Sequence, residues 1–123
     1  SSAAPIYIQN NLFFRPGPLY LDDRHPPLRA FGEASLMTFT KNSILAVGDF
    51  ALDCVDPSLD GYYRYRNCMV TGLDDYSGNY WGTTDSLQIP NYIYRQDLSV
   101  IPVYEPFLNE PDPATPDAAP YLN

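Results

Sequence analysis

Residues 44–55 read Ile-Leu-Ala-Val-Gly-Asp-Phe-Ala-Leu-Asp-Cys-Val, and the alternation in this stretch decides the fold class. Ile44, Ala46, Gly48, Phe50, Leu52 and Cys54 fall on one face, and Val47, Asp49, Ala51, Asp53 and Val55 on the other. A period of two with apolar residues on one side is the pattern of a half-buried strand, with Gly48 a candidate bulge or close-approach point. Immediately upstream, residues 34–40 (ASLMTFT) set Leu36, Thr38 and Thr40 against Met37 and Phe39, and Lys41-Asn42-Ser43 supplies a turn. The pair reads as a β-hairpin.

The same reading extends in both directions. Further strands are expected at 62–71, 80–89, 92–95 and 98–104, separated by turn-rich segments at 56–61, 72–79 and 90–91, with residues 6–14 (IYIQNNLFF) and 19–21 completing the set at the front. Roughly seven or eight short strands with turn signals at this spacing predict an all-β domain, a single antiparallel β-sandwich or jelly roll.

Composition points the same way. The 123 residues suffice for one domain with its own core. They include 13 Pro, 12 Asp and 8 Asn but 3 Glu and one Lys, Lys41. The residues that fill exposed helix faces are nearly missing, while turn formers and strand-favouring aromatics abound. A net charge of -8 removes the electrostatic term on which nucleic-acid binding depends. The sequence has no apolar run of the length a transmembrane helix needs, so neither nucleic acid nor a membrane span is expected.

Prolines divide the chain into three parts. Residues 1–18 form an amino-terminal strand followed by Arg15-Pro16-Gly17-Pro18, residues 19–104 form the body, and residues 105–123 form an acidic arm carrying Pro106, Pro111, Pro113, Pro116 and Pro120. Such an arm is expected as extended polyproline II backbone. The opening Ser-Ser-Ala-Ala-Pro has the small-residue character left by a signal peptidase. An extracellular or cell-surface location is therefore expected, and a Cys54–Cys68 disulfide fits it, with a loop closure contributing about 3 kcal/mol. If the two cysteines lie opposite each other, residues 56–66 become a long excursion presenting Tyr62, Tyr63, Arg64, Tyr65 and Arg66 as a contact loop. No Asn-x-Ser/Thr sequon occurs, and Thr115, between prolines, is the candidate for an O-linked sugar.

Candidate chemistry is sparse. Asp56, Ser58 and Asp60 followed by Gly61 resemble the first half of a calcium loop, but position twelve is Asn67 where a bidentate Glu is needed; Asp74, Asp75, Ser77 and Asn79 make a second oxygen-rich turn. Turn chemistry alone accounts for both, so no cofactor is expected, with Ca²⁺ at Asp56, Ser58 and Asp60 as the alternative. The only histidine, His25, stands before two prolines with no nucleophile signature in the chain. The protein is therefore read as non-enzymatic.

Two binding readings follow. The uncharged, strand-favouring run containing Ile6, Tyr7, Ile8, Leu12, Phe13 and Phe14 is suited to β-augmentation of another copy, so a secreted structural subunit that self-assembles into an extracellular filament or oligomer by strand donation is expected. The alternative is a carbohydrate-binding β-sandwich module that grips sugar rings on Tyr62, Tyr63, Tyr65, Tyr76, Tyr80 and Trp81. A single Trp in a sandwich is more often packed between the sheets than exposed, so the core is the favoured place for Trp81.

Overall fold

The computed structural model describes residues 5–15, 28–29, 37–46, 54–58, 60, 68–95 and 97–121. Among these residues there are six short strands: β1 (Ile6–Gln9), β2 (Leu12–Arg15), β3 (Leu28–Arg29), β4 (Met37–Thr40), β5 (Ser43–Ala46) and β6 (Val70–Thr71). The protein is mostly β, as its composition implies. The manner of pairing differs from expectation.

Every strand pair among the described residues is parallel. β1 lies on β4 with Ile6 opposite Met37, β2 lies on β5 with Leu12 opposite Ser43, and β3 lies on β6 with Leu28 opposite Val70. Single-residue parallel bridges continue the stack from Ser43 to Tyr80 and on to Leu108, and from Val70 to Ile93. The antiparallel sandwich is therefore corrected to a coiled, solenoid-like stack in which the chain runs along one side, turns, runs along a second and a third, and lands on its own previous turn. Residues 37–46 are two sides of one coil, not a hairpin. Each of their strands pairs with the coil before it.

The turn between the first two sides explains why this path is taken. Asn10 and Lys41 adopt positive φ (61° and 60°), and Gly78 does so in the next coil (79°). One left-handed residue redirects the strand around a corner without folding it back on itself. A Cβ on Gly78 would stand 3.2 Å from Thr40 Cγ2, so this position is closed to larger residues by contact as well as by conformation.

Corners bring apolar residues inward in register. Phe39, Ile44, Met69, Val70, Tyr76, Trp81, Ile89 and Ile93 form the buried core, with Ile8 and Phe13 packed against it from the first coil and Tyr104 and Phe107 from the last. An aromatic chain runs through it, from Phe13 stacked on Phe39 (5.7 Å between centroids) through Tyr76 to Trp81, which stacks on Tyr92 at 6.2 Å. The Cys54–Cys68 disulfide is formed, with its Cα atoms 5.0 Å apart and both cysteines buried. It ties Cys54 to the residues that lead into β6.

Three expected strands are replaced by turns. Thr83 Oγ1 accepts from the Asp85 amide and Asp85 Oδ1 accepts from the Leu87 amide, both at 3.0 Å, and the chain passes into a 3₁₀ turn at Ile89–Tyr92. Residues 92–95 keep one bridge residue, Ile93. At 98–104, Asp97 Oδ1 captures the amide and hydroxyl of Ser99. At 83–87 and 97–99 short polar side chains bonding to nearby amides outcompete the ladder.

Candidate functional site

Asparagine occupies the position after the left-handed residue in three successive coils, and the three side chains form a ladder. Asn79 Oδ1 accepts from the amide and Nδ2 of Asn42, both at 3.1 Å, and Asn42 Oδ1 accepts from the amide and Nδ2 of Asn11, at 2.9 and 3.1 Å. Each Nδ2 also reaches back to main-chain carbonyls: Asn79 to Phe39 and Tyr76, Asn42 to Ile8. Asn42 and Asn79 are fully buried. Only a side chain with both acceptor and donor can satisfy one coil above and another below, which is why the residue recurs. In the fourth coil Phe107 takes the place of the asparagine, since Leu108 follows it and donates to the Asn79 carbonyl. There the ladder closes.

At the other end it stays open. Among the described residues nothing donates to Asn11 Oδ1, and no strand lies on the outer edge of β1 or β2. Ser43 donates to the Asn11 carbonyl at 2.9 Å with Leu12 opposite Ser43, so Asn11 and Phe13 bond inward while the main-chain groups of Leu12 and Phe14 point away from the coil below. Tyr7 is 65% exposed and Ile6 is exposed beside it. An open groove of about 490 Å³ flanks this edge, lined by residues 10–14 with Pro116 and Tyr121. The expected assembly residues Ile6, Tyr7, Ile8, Leu12, Phe13 and Phe14 are thus gathered at one end of the stack. They are paired within their own chain on one edge; a strand swung clear of its own body is not what the fold contains.

The proline-rich arm is a strap on its own body. After Leu108 it runs back along the outside of the second side toward the first coil. Asp112 Oδ1 and Thr115 Oγ1 accept from Asn10 Nδ2 at 3.0 and 3.2 Å, the Thr115 hydroxyl donates to the Lys41 carbonyl, and Tyr121 reaches the ring of Phe14. Thr115 is 8% exposed with its hydroxyl committed, so this oxygen is not presented for a sugar. Between strap and body lies a cavity of about 330 Å³, walled by Ser43, Leu45, Tyr80, Trp81, Tyr92, Pro111 and the 116–119 turn.

The expected aromatic platform divides. Tyr76 and Trp81 are core residues, 3% and 1% exposed, and cannot stack a ligand from solvent. Burial pushes the Tyr76 hydroxyl up to about 12, although that oxygen accepts from the Leu73 amide at 3.1 Å. Burial also raises Tyr92. Tyr80 remains partly exposed at the strap cavity. Tyr62, Tyr63 and Tyr65, with Arg64, Arg66, Gly48 and His25, lie outside the described residues. In the expected calcium loop, Asp56 Oδ1 is engaged by the Ser58 amide and hydroxyl, at 2.9 and 2.7 Å, which hold its carboxyl below the usual carboxylate range. In the second oxygen-rich turn, Asp75 accepts from the Ser77 amide and Asn79 belongs to the ladder. Among the described residues no three acidic, His or Cys side chains cluster as a metal site, and no helix is long and apolar enough to cross a membrane.

No family model, no curated protein and no solved structure matches this chain.

Proposed function

We propose that the protein is a non-enzymatic structural unit of an extracellular assembly, and that it associates with a second copy of itself through the outer edge of β1 and β2. The open end of the asparagine ladder carries this reading. An unfilled acceptor on Asn11, outward main-chain groups on Leu12 and Phe14 and an exposed Tyr7 together present what a further strand needs. The disulfide fits an oxidising compartment.

The two ends are unequal, which bears on the form of the assembly. Pro102 and Pro106, in the coil at the far end, have no amide hydrogen to donate. Head-to-tail growth is disfavoured there, and two amino-terminal edges meeting about a two-fold axis give a closed dimer. Sedimentation velocity over a concentration series tests this. The expected result is a monomer–dimer equilibrium that Tyr7→Lys abolishes without lowering the melting temperature. A protein that stays monomeric at every concentration, or a dimer indifferent to Tyr7→Lys, contradicts the reading. Point substitutions serve better than truncation, because removing residues 1–15 would uncover Asn42 as a new open rung.

A further inference from the structure

We infer, resting on the self-association proposed above, that the proline-rich strap is a clasp that holds the open edge of the first coil in the shape a second copy pairs with. Docking of the strap and association of two chains are then coupled events.

β1 and β2 are four residues each and, among the described residues, are paired on one edge alone. They flank Asn10, the left-handed corner residue at φ 61°. Short strands at the end of a stack fray, and a frayed edge must be ordered before a partner strand can add to it. The strap supplies the bracing. Thr115 Oγ1 accepts from Asn10 Nδ2 at 3.2 Å while its hydroxyl donates to the Lys41 carbonyl, and Asp112 Oδ1 accepts from the same Asn10 nitrogen at 3.0 Å. Lys41 is the left-handed corner of the next coil, at φ 60°. One hydroxyl on a buried residue therefore joins two successive corners. Tyr121 adds a second grip on the ring of Phe14 in β2, with 6.4 Å between centroids.

The clasp braces the edge without occupying it. Among the described residues the strap reaches the first coil through the Asn10 side chain and the Phe14 ring, and takes none of the outward main-chain groups of Leu12 and Phe14. A strap that plugged the edge would take those groups itself, whereas side-chain anchoring leaves them for a partner. Linkage runs both ways: a docked strap favours the dimer, and the dimer favours the docked strap by the same factor.

The test is made on the full chain with Asp112→Ala and Thr115→Val together, which removes both acceptors of Asn10 and the donor to Lys41. Sedimentation velocity is expected to show a dimer dissociation constant raised about tenfold, with the Ile44 and Tyr80 amides protected as before. Removing an acidic charge from a chain of net charge -8 lessens repulsion between copies, so charge alone would move the constant the other way. Should the double variant lose the protection of those two amides, Tyr121→Ala takes its place, with a rise of about threefold expected for the ring contact alone. In the unsubstituted chain the Thr115 amide, bonded to the Asp112 carbonyl at 2.9 Å within the strap, is expected to exchange more slowly as protein concentration rises. An unchanged dissociation constant, in a protein whose dimer Tyr7→Lys still abolishes, overturns the clasp and leaves the association standing. A tighter dimer in the variant makes the strap a plug and overturns the clasp equally, as does a dimer whose formation leaves Thr115 exchange unaltered. A chain that is monomeric at every concentration removes both the association and its clasp.

Discussion

Asn79 and Asn11 stand at opposite ends of one ladder. Asn79 is buried, accepts twice from Asn42 and donates to the carbonyls of Phe39, Tyr76 and Ser77. Asn11 is exposed, donates to Asn42 and to the Gln9 carbonyl, and its side-chain oxygen accepts nothing among the described residues. The same residue in the same corner is a structural fastener where a coil lies on each side of it. Where one side is empty it is an unfilled template. Position in the stack, and not residue type, separates stability from association.

The largest expected effect is at the closed end. Asn79→Ala strips five hydrogen bonds and leaves buried amides and carbonyls unpaired, a loss of about 4 kcal/mol or more, enough to unfold a domain of ordinary stability. A far-UV melt that moves little would show that the ladder contributes nothing. Opening the disulfide by Cys54→Ala with Cys68→Ala should cost about 3 kcal/mol in denaturant unfolding.

Tyr76, beside the ladder in the core, gives a smaller effect with a pH signature. Its folded-state value near 12 lies above the ordinary tyrosine value of 10.0, so the unfolded chain loses its proton first. Stability from this group is complete below pH 10 and declines as the pH rises toward 12. Tyr76→Phe should cost about 1 kcal/mol at neutral pH, for the lost bond to Leu73, and flatten that alkaline decline. Thr115→Val should loosen the strap by about 1 kcal/mol and speed amide exchange over 109–121, leaving the ladder amides unchanged. Asn11→Ala is the mildest for the monomer, within about 1 kcal/mol, because Asn42 Oδ1 keeps the Asn11 main-chain amide and the Gln9 carbonyl that is released is exposed.

The contrast between these asparagines could not be read from the chain beforehand. Strand within 6–14, 34–40 and 44–55 is legible, since apolar alternation is a local property, but the corner at Asn10-Asn11 that splits the first run into β1 and β2 is not. The Cys54–Cys68 bond is legible as well. The parallel stacking is not, because successive coils are displaced by unequal intervals: 31 residues from Asn11 to Asn42 and 37 from Asn42 to Asn79. No repeat period survives such insertions. A turn of Lys41-Asn42-Ser43 also looks alike whether it reverses the strand or takes it round a corner; the positive φ at Lys41 makes the difference, and lysine does not advertise it.

The candidate sites were visible in pieces. The run 6–14 stands out in the sequence for its uncharged, strand-favouring residues, and β1 and most of β2 lie in it. That Trp81 belongs in the core was one of two readings of a lone tryptophan among turn residues, and burial decides for it. The strap cavity draws its walls from Ser43 to Ala119. Residues that far apart carry no common signal until the tail is seen to run back along the second side.

Hydrogen exchange measured residue by residue at low and high protein concentration tests the self-association most directly. The account predicts that the Leu12 and Phe14 amides, which point off the edge, exchange freely when dilute and become protected when concentrated, while the Ile44 and Tyr80 amides, bonded within the stack, stay equally protected throughout. Leu12 and Phe14 amides whose exchange is the same at both concentrations would contradict it.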